Sequence, residues 1–252
     1  MSYILVTNDD GINAPGIFAL AQAMKKFGDV RVSAPSSNQS ASGHKKTLFT
    51  DIPFQHTQLA DDIPALSVTG SPADCIAVSA LGAIDWPPRL VVSGINRGAN
   101  MGQDITYSGT VTAALESCIH GVPAVAFSLD NQQANDPEDY AEAVRIATLV
   151  VEIVLEKMHT LPPFTILNVN IPFVEKVKGI RLTRQGIRIY LDELEQNGDV
   201  YRIVGAPPTG NLDEVGTDLW AVHTGYASLT PIHLDLTAHQ FMADLAAWDI
   251  EV

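Results

Sequence analysis

Ile4-Leu5-Val6-Thr7-Asn8-Asp9-Asp10-Gly11 is the stretch that decides the fold of this chain. A run of apolar residues with Ile and Val among them predicts a strand buried on both faces, as in a parallel sheet. The strand ends on two adjacent carboxylates and a glycine. In an open α/β sheet, ligands bind in the crevice outside the carboxyl ends of the strands. Neighbouring like charges disfavour each other's ionised forms, and a hard divalent cation taking oxygen ligands would remove the conflict. The same Asn-Asp-Asp-Gly letters also make a solvated turn, and on this stretch alone both readings stand.

Working outward, a helix is predicted from about Ile17 to Phe27, with Ile17, Leu20, Ala21 and Met24 apolar and Gly28 as its stop. Asp29 to Ala34 is a second strand, closed by Pro35. Strand, helix, strand implies a right-handed crossover and parallel pairing. The small polar loop from Ser36 to Gly43 therefore leaves on the same rim as Asp9 and Asp10. Lys45 to Val68 is irregular, a hairpin or excursion. Ser71 is placed to cap a helix over about Ala73 to Leu81, with Pro72 at its first position.

Leu90 to Ser93 is a further buried strand, running into Gly94-Ile95-Asn96-Arg97-Gly98-Ala99-Asn100-Met101-Gly102. This spacing of glycines is neither the dinucleotide fingerprint nor a phosphate loop with Lys-Ser/Thr. It offers two carboxamides, Asn96 and Asn100, on backbone that glycine lets approach a ligand closely. Ser108-Gly109-Thr110 opens a helix whose apolar face is Val111, Ala114, Leu115, Cys118 and Ile119. Its unpaired N–H groups and positive dipole end suit a phosphate, although N-capping alone also accounts for a hydroxyl here.

Val122 to Ser128 and Phe164 to Asn170 read as strands, with a long amphipathic helix between them starting at Asp136-Pro137-Glu138. Beyond Val174, short alternating stretches (Gly179 to Thr183, Ile187 to Leu191, Tyr201 to Val204) predict antiparallel strands, with Asn197-Gly198-Asp199 as a hairpin turn. A lone hairpin buries little of itself, so the arm is expected to pack on another subunit. Thr237 to Trp248 reads as an amphipathic helix, either docked on the core or exchanged between protomers.

Length and composition fit this outline. The expected architecture is one α/β domain of 252 residues, a Rossmann-like, mostly parallel sheet with flanking helices. The core would cover about 1–175, with a hairpin arm and oligomerisation helix over about 176–252. A hydrophobic share of 46% supports a full core, and a net charge of −14 with a pI near 4.7 argues against a nucleic-acid polymer as partner. An anionic substrate would need a local countercharge. Cys75 and Cys118, far apart in apolar surroundings, fit lone thiols in a reducing compartment. With no leader pattern and no membrane-length apolar run, the expectation is a cytoplasmic protein without a membrane partner.

The donors brought to one rim are Asp9, Asp10, a hydroxyl best supplied by Ser40, Asn96 and Asn100. All are hard oxygen ligands, which suit Mg²⁺, Mn²⁺ or Ca²⁺ and not a structural zinc. Facing a helix N-terminus, such an ion points to metal-assisted hydrolysis of a phosphate ester. A phosphotransferase with a strand-end Asp nucleophile typically needs two Asp one residue apart, a pattern that the adjacent Asp9 and Asp10 do not make.

These residues resemble the SurE survival-protein family. The resemblance rests on Val6-Thr7-Asn8-Asp9-Asp10-Gly11 with Ala14-Pro15-Gly16, on Ser93-Gly94-Ile95-Asn96 with Gly98 and Asn100, and on Tyr107-Ser108-Gly109-Thr110. Weaker matches are Gly70 to Cys75, Leu167-Asn168-Val169-Asn170, and Gly225 to Pro231. The resemblance implies a divalent-metal-dependent 5′-nucleotidase acting on nucleoside 5′- and 3′-monophosphates, sometimes on short polyphosphate, and assembling as a dimer or tetramer. It implies one ion per subunit, Mg²⁺ or Mn²⁺ with Ca²⁺ as an alternative in crystals. Asp9, Asp10, Ser40 and Asn96 fall on the metal ligands, with Asp9, Asp10 and Asn96 carrying catalysis. Asn100, Ser108, Gly109 and Thr110 fall on the phosphate contacts, and Asn8 lies beside the metal. The loop Ser36-Ser37-Asn38-Gln39-Ser40-Ala41 departs from the acidic-basic pair and glycine that many members carry around this serine, which leaves Ser42 as an alternative ligand. His44 is either a substrate contact or a simple loop residue. Also open are a non-catalytic metal or nucleotide sensor, a broader phosphomonoesterase or exopolyphosphatase, and a scaffold acting through its arm.

Overall fold

All five residues of β1 (Tyr3–Thr7) are buried, and their alternation splits the core. Ile4 and Val6 join one apolar cluster, Tyr3 and Leu5 another on the opposite face. The computed structural model describes residues 3–60 and 62–248. On the Ile4 face lie α1 (Pro15–Met24) and α4 (Ala141–Lys157); on the Tyr3 face lie α2 (Pro72–Val78) and α3 (Gly109–Ile119). Between them β1 pairs in parallel with β2 (Asp29–Pro35) and β5 (Leu90–Arg97). The parallel ladder continues through β6 (Ala124–Asp130) to β7 (Thr165–Pro172). On the other side β3 (Phe54–Leu59) and β4 (Ile63–Val68) form the expected hairpin, with β4 parallel to β2.

Two further strands complete the sheet. β11 (Ala227–His233) runs antiparallel to β7, and β8 (Ile180–Leu182) pairs in parallel with β11, giving the order β3-β4-β2-β1-β5-β6-β7-β11-β8. The expected arm strand at Gly179–Thr183 is therefore corrected: it belongs to the main sheet. With α5 (Asp218–His223) also packed against β11 and β7, the sheet layer does not end near residue 175. The arm proper is β9 (Arg188–Asn197) and β10 (Val200–Gly210), an antiparallel two-stranded ribbon turning at Gly198 and Asp199. The C-terminal α6 (His239–Leu245) has no buried residue, so it is not docked on its own core. Among the described residues no helix is long and apolar enough to cross a membrane. Cys75 and Cys118 are buried and unpaired.

Local chemistry explains the helix starts. Ser71 and Asp74 form a reciprocal capping box with Pro72 at the first helical position, and the Ser108 hydroxyl accepts the Val111 N–H at 3.1 Å. α1 starts earlier than its apolar pattern, because Pro15 is preset for a first turn that lacks partners for its N–H groups anyway.

Candidate active site

Asp9 leaves the end of β1 directly beneath the first turn of α3. Its Oδ1 accepts the Thr110 hydroxyl at 2.5 Å, and the approach is so close that a Cβ on Gly109 would lie 2.7 Å from the Asp9 Cβ and 2.9 Å from its Oδ2. Only glycine fits there. The Asn8 side chain is fully buried and braces the turn, its Nδ2 donating to the Gly11 carbonyl at 2.9 Å. It is not on the cleft wall.

Asp9, Ser40, Asn96, Asn100 and Ser108 line one cleft of about 390 Å³, together with Arg97, Asp104, Tyr107 and Gln132. Asp10 lines the adjoining hollow, and Arg97 borders both. Thr110 and Gly109 stand behind Asp9. Asn96 sits on the last turn of the β5 ladder; its Nδ2 donates to the Gly98 carbonyl at 2.8 Å, which leaves its Oδ1 for the cleft. The Ser40 loop is tied to the Asp9 turn, since Gln39 N–H donates to the Asp9 carbonyl at 2.7 Å, and it is braced internally by Ser40 N–H donating to Asn38 Oδ1 at 2.8 Å. Ser42 is off the cleft, with its hydroxyl buried and unpartnered. His44 is turned to Glu116, 3.0 Å away.

Burial dominates the electrostatics of both carboxylates. Burial pushes the Asp9 carboxyl up to about 6 against the hydrogen bonds of Thr110, and the Asp10 charge adds to the rise. Burial also raises Asp10, with the Arg97 N–H, 3.0 Å from Oδ2, and the Arg97 charge pulling the other way. Neither carboxylate has an ion pair among the described residues. The Oδ1 of the preceding Asn8 is buried with no partner among the described residues. The Asp9 and Asp10 carboxylates, the Asn96 carboxamide oxygen and the Ser40 hydroxyl form a hard donor set that fits a divalent cation.

Sequence reasoning missed the residues that hold Asn100. Asn170 Oδ1 accepts the Asn100 N–H at 2.7 Å, while Asn170 and Asn168 Nδ2 both donate to its carbonyl, at 3.0 and 2.9 Å. Ser128 Oγ accepts the Asn100 Nδ2 at 2.8 Å. The available signal was a pair of asparagines two apart on one face of an otherwise apolar strand. The cleft wall is likewise fixed from afar: Asp218, fully buried, accepts the Gly102 and Gly186 N–H groups at 2.9 and 2.7 Å.

The family described as survival protein SurE matches residues 4–192. The chain is 44% identical over 256 residues to the 5′-nucleotidase SurE of Chloroflexus aggregans, covering 99% of this chain and all of that protein. It is 47% identical over 251 residues to the 5′-nucleotidase SurE 1 of Thermus thermophilus, covering 96% of each. Among solved structures, that of the SurE protein from Aquifex aeolicus superposes with a TM-score of 0.82 at 38% identity, covering 98% of this chain and 100% of that one.

Proposed function

The chain belongs to the SurE family, and on that premise we propose that it is a divalent-metal-dependent nucleotidase, hydrolysing nucleoside 5′- and 3′-monophosphates to nucleoside and phosphate. The observation that carries the reading is the meeting of Asp9, Ser40 and Asn96 in one cleft with the capped N-terminus of α3.

We assign Asp9, Asp10, Ser40 and Asn96 to one ion per subunit, Mg²⁺ or Mn²⁺, and Asn100, Ser108 and the backbone N–H groups of Gly109 and Thr110, whose hydroxyl is given to Asp9, to the phosphate end of the substrate. A bound ion supplies Lewis acidity toward the phosphoryl oxygens and an activated water. The chain's own residues do the positioning. Asn100, clamped on its backbone by Asn168 and Asn170, presents its carboxamide at a fixed place on the wall. Ser108 lines the cleft, its oxygen accepting from Val111, and its O–H is the group it can donate to a phosphate oxygen. The α3 dipole favours the negative charge of phosphate and of Asp9 alike. Asp104 is not placed as a proton donor to the leaving oxygen, since Arg188 at 2.9 Å and Tyr190 at 2.5 Å hold its carboxylate. The buried, unpaired thiols support a reducing, cytoplasmic setting, and the apolar arm supports a homodimer or homotetramer.

The test is phosphate release from AMP, GMP and their 3′ isomers with Mg²⁺, Mn²⁺ or chelator. Release with metal and none with chelator is the expected result. No release from any nucleotide by protein that still binds the ion would overturn the enzyme and favour the sensor.

A further inference from the structure

Away from the cleft, α3 carries a carboxylate that the reaction does not use. Glu116 lies two turns beyond Gly109, and its side chain is 3% exposed. A buried charge needs partners, and Glu116 has three: Lys46 Nζ at 2.7 Å, His44 Nε2 at 3.0 Å and His120 Nε2 at 3.1 Å. Two of them belong to the limb of chain that returns from Ser40. That limb is fastened along its length: Gly43 N–H to the Tyr107 carbonyl at 3.0 Å, the Thr112 hydroxyl to the Gly43 carbonyl at 3.0 Å, the Ser71 hydroxyl to the Lys45 carbonyl at 2.5 Å and Thr47 N–H to Asp74 at 2.7 Å. The outgoing limb is tied to the Asp9 turn through Gln39. Ser40 and Ala41, the latter in the left-handed region at φ 58°, hang between the two anchors.

We propose that Glu116 is a positioning residue for the cleft, gripping His44 and Lys46 so that the loop holds the Ser40 hydroxyl in place before ion and nucleotide arrive. This rests on the assignment of Ser40 as a ligand. Losing an outer partner of a metal ligand typically lowers metal affinity about 10–100-fold, and here the loss acts through loop order.

The experiment uses full-length protein with Glu116→Gln, Lys46→Met and Lys46→Arg. Mn²⁺ affinity is measured by titration calorimetry without nucleotide, alongside KM, kcat and the rate of trypsin cleavage after Lys45, a site that every variant keeps. Glu116→Gln and Lys46→Met should each weaken Mn²⁺ binding by about tenfold, raise KM more than they lower kcat, and speed cleavage. Lys46→Arg should restore Mn²⁺ affinity toward wild type. Because Lys46 is partly exposed, Lys46→Met answers the question even if Glu116→Gln does not fold. Folded Lys46→Met with wild-type Mn²⁺ affinity and cleavage rate would overturn the proposal while leaving the wild-type nucleotidase reading untouched. Failure of that reading would instead appear as wild type that releases no phosphate.

Discussion

Asp9 and Gly109 lie a hundred positions apart in the chain, yet they constrain each other at van der Waals distance. A Gly109→Ala methyl has nowhere to go: Asp9 blocks it on one side and the Pro72 ring, 2.9 Å away, on the other. Overpacking of this kind costs about 1–3 kcal/mol, and displacing a catalytic group by about 1 Å costs on the order of 10²-fold in rate. Gly109→Ala is therefore expected to stay folded, with a modest loss in denaturant unfolding and a far larger loss in kcat/KM. A loss confined to stability would contradict it. Asn170→Ala tests a different contact, removing the acceptor for the Asn100 N–H; leaving that buried donor alone costs about 1–3 kcal/mol. Since Asn100 is assigned to substrate and not to the ion, phosphate release should fall while Mn²⁺ affinity is retained. At this scale the sequence was legible where the chemistry is local, as in Asp9-Asp10 at a strand end. It was silent where partners are distant: nothing in Asn170 or Thr110 alone says that one clamps Asn100 and the other is committed to Asp9.

Elements were legible where period and caps agree. Ser71-Pro72 with Asp74 and Ser108 with its helix behaved as local rules require, and Ser71→Ala should cost about 1 kcal/mol of stability. β11 escaped because Pro231 sits inside it, and a proline within a run argues against a strand. The Gly179 stretch was misplaced because alternation reveals a strand and not its neighbour. The link between α3 and the Ser40 loop has a titration of its own. Burial would raise Glu116, but hydrogen bonds from His44 and Lys46 and their charge bring it down to about 2. A carboxyl held below its ordinary value of 4.5 contributes stability fully above that value and loses it as pH falls toward 2. Unfolding followed at pH 7, 4.5 and 3 should show wild type and Glu116→Gln drawing together only below 4.5. A gap that stays constant to pH 3 would contradict that ion pairing.

On the scale of the whole molecule, the mostly parallel sheet and its site-bearing rim follow from three strand-end loops leaving in one direction, which is why the fold class is legible in the sequence alone. The assembly could not be read so directly. The ribbon of β9 and β10 exposes Leu194, Tyr201 and Ile203 on one face and Leu191 and Val200 on the other, apolar side chains that the described residues leave uncovered. Leu191 and Ala206 face each other in its ladder, so replacing 192–205 by a two-glycine turn shortens the arm without disturbing the Arg188 and Tyr190 contacts with Asp104. Light scattering should then report a smaller oligomer with turnover per site preserved. The central claim, that an ion held by Asp9 and its neighbours drives phosphate release, meets its most direct test in wild type and Asp9→Asn assayed side by side on 5′-AMP, stripped by chelator and then titrated with Mn²⁺. Wild type should lose release on stripping and recover it with Mn²⁺, while Asp9→Asn, folded, recovers little or none. Equal recovery in both proteins, or release that survives the chelator, would contradict the account.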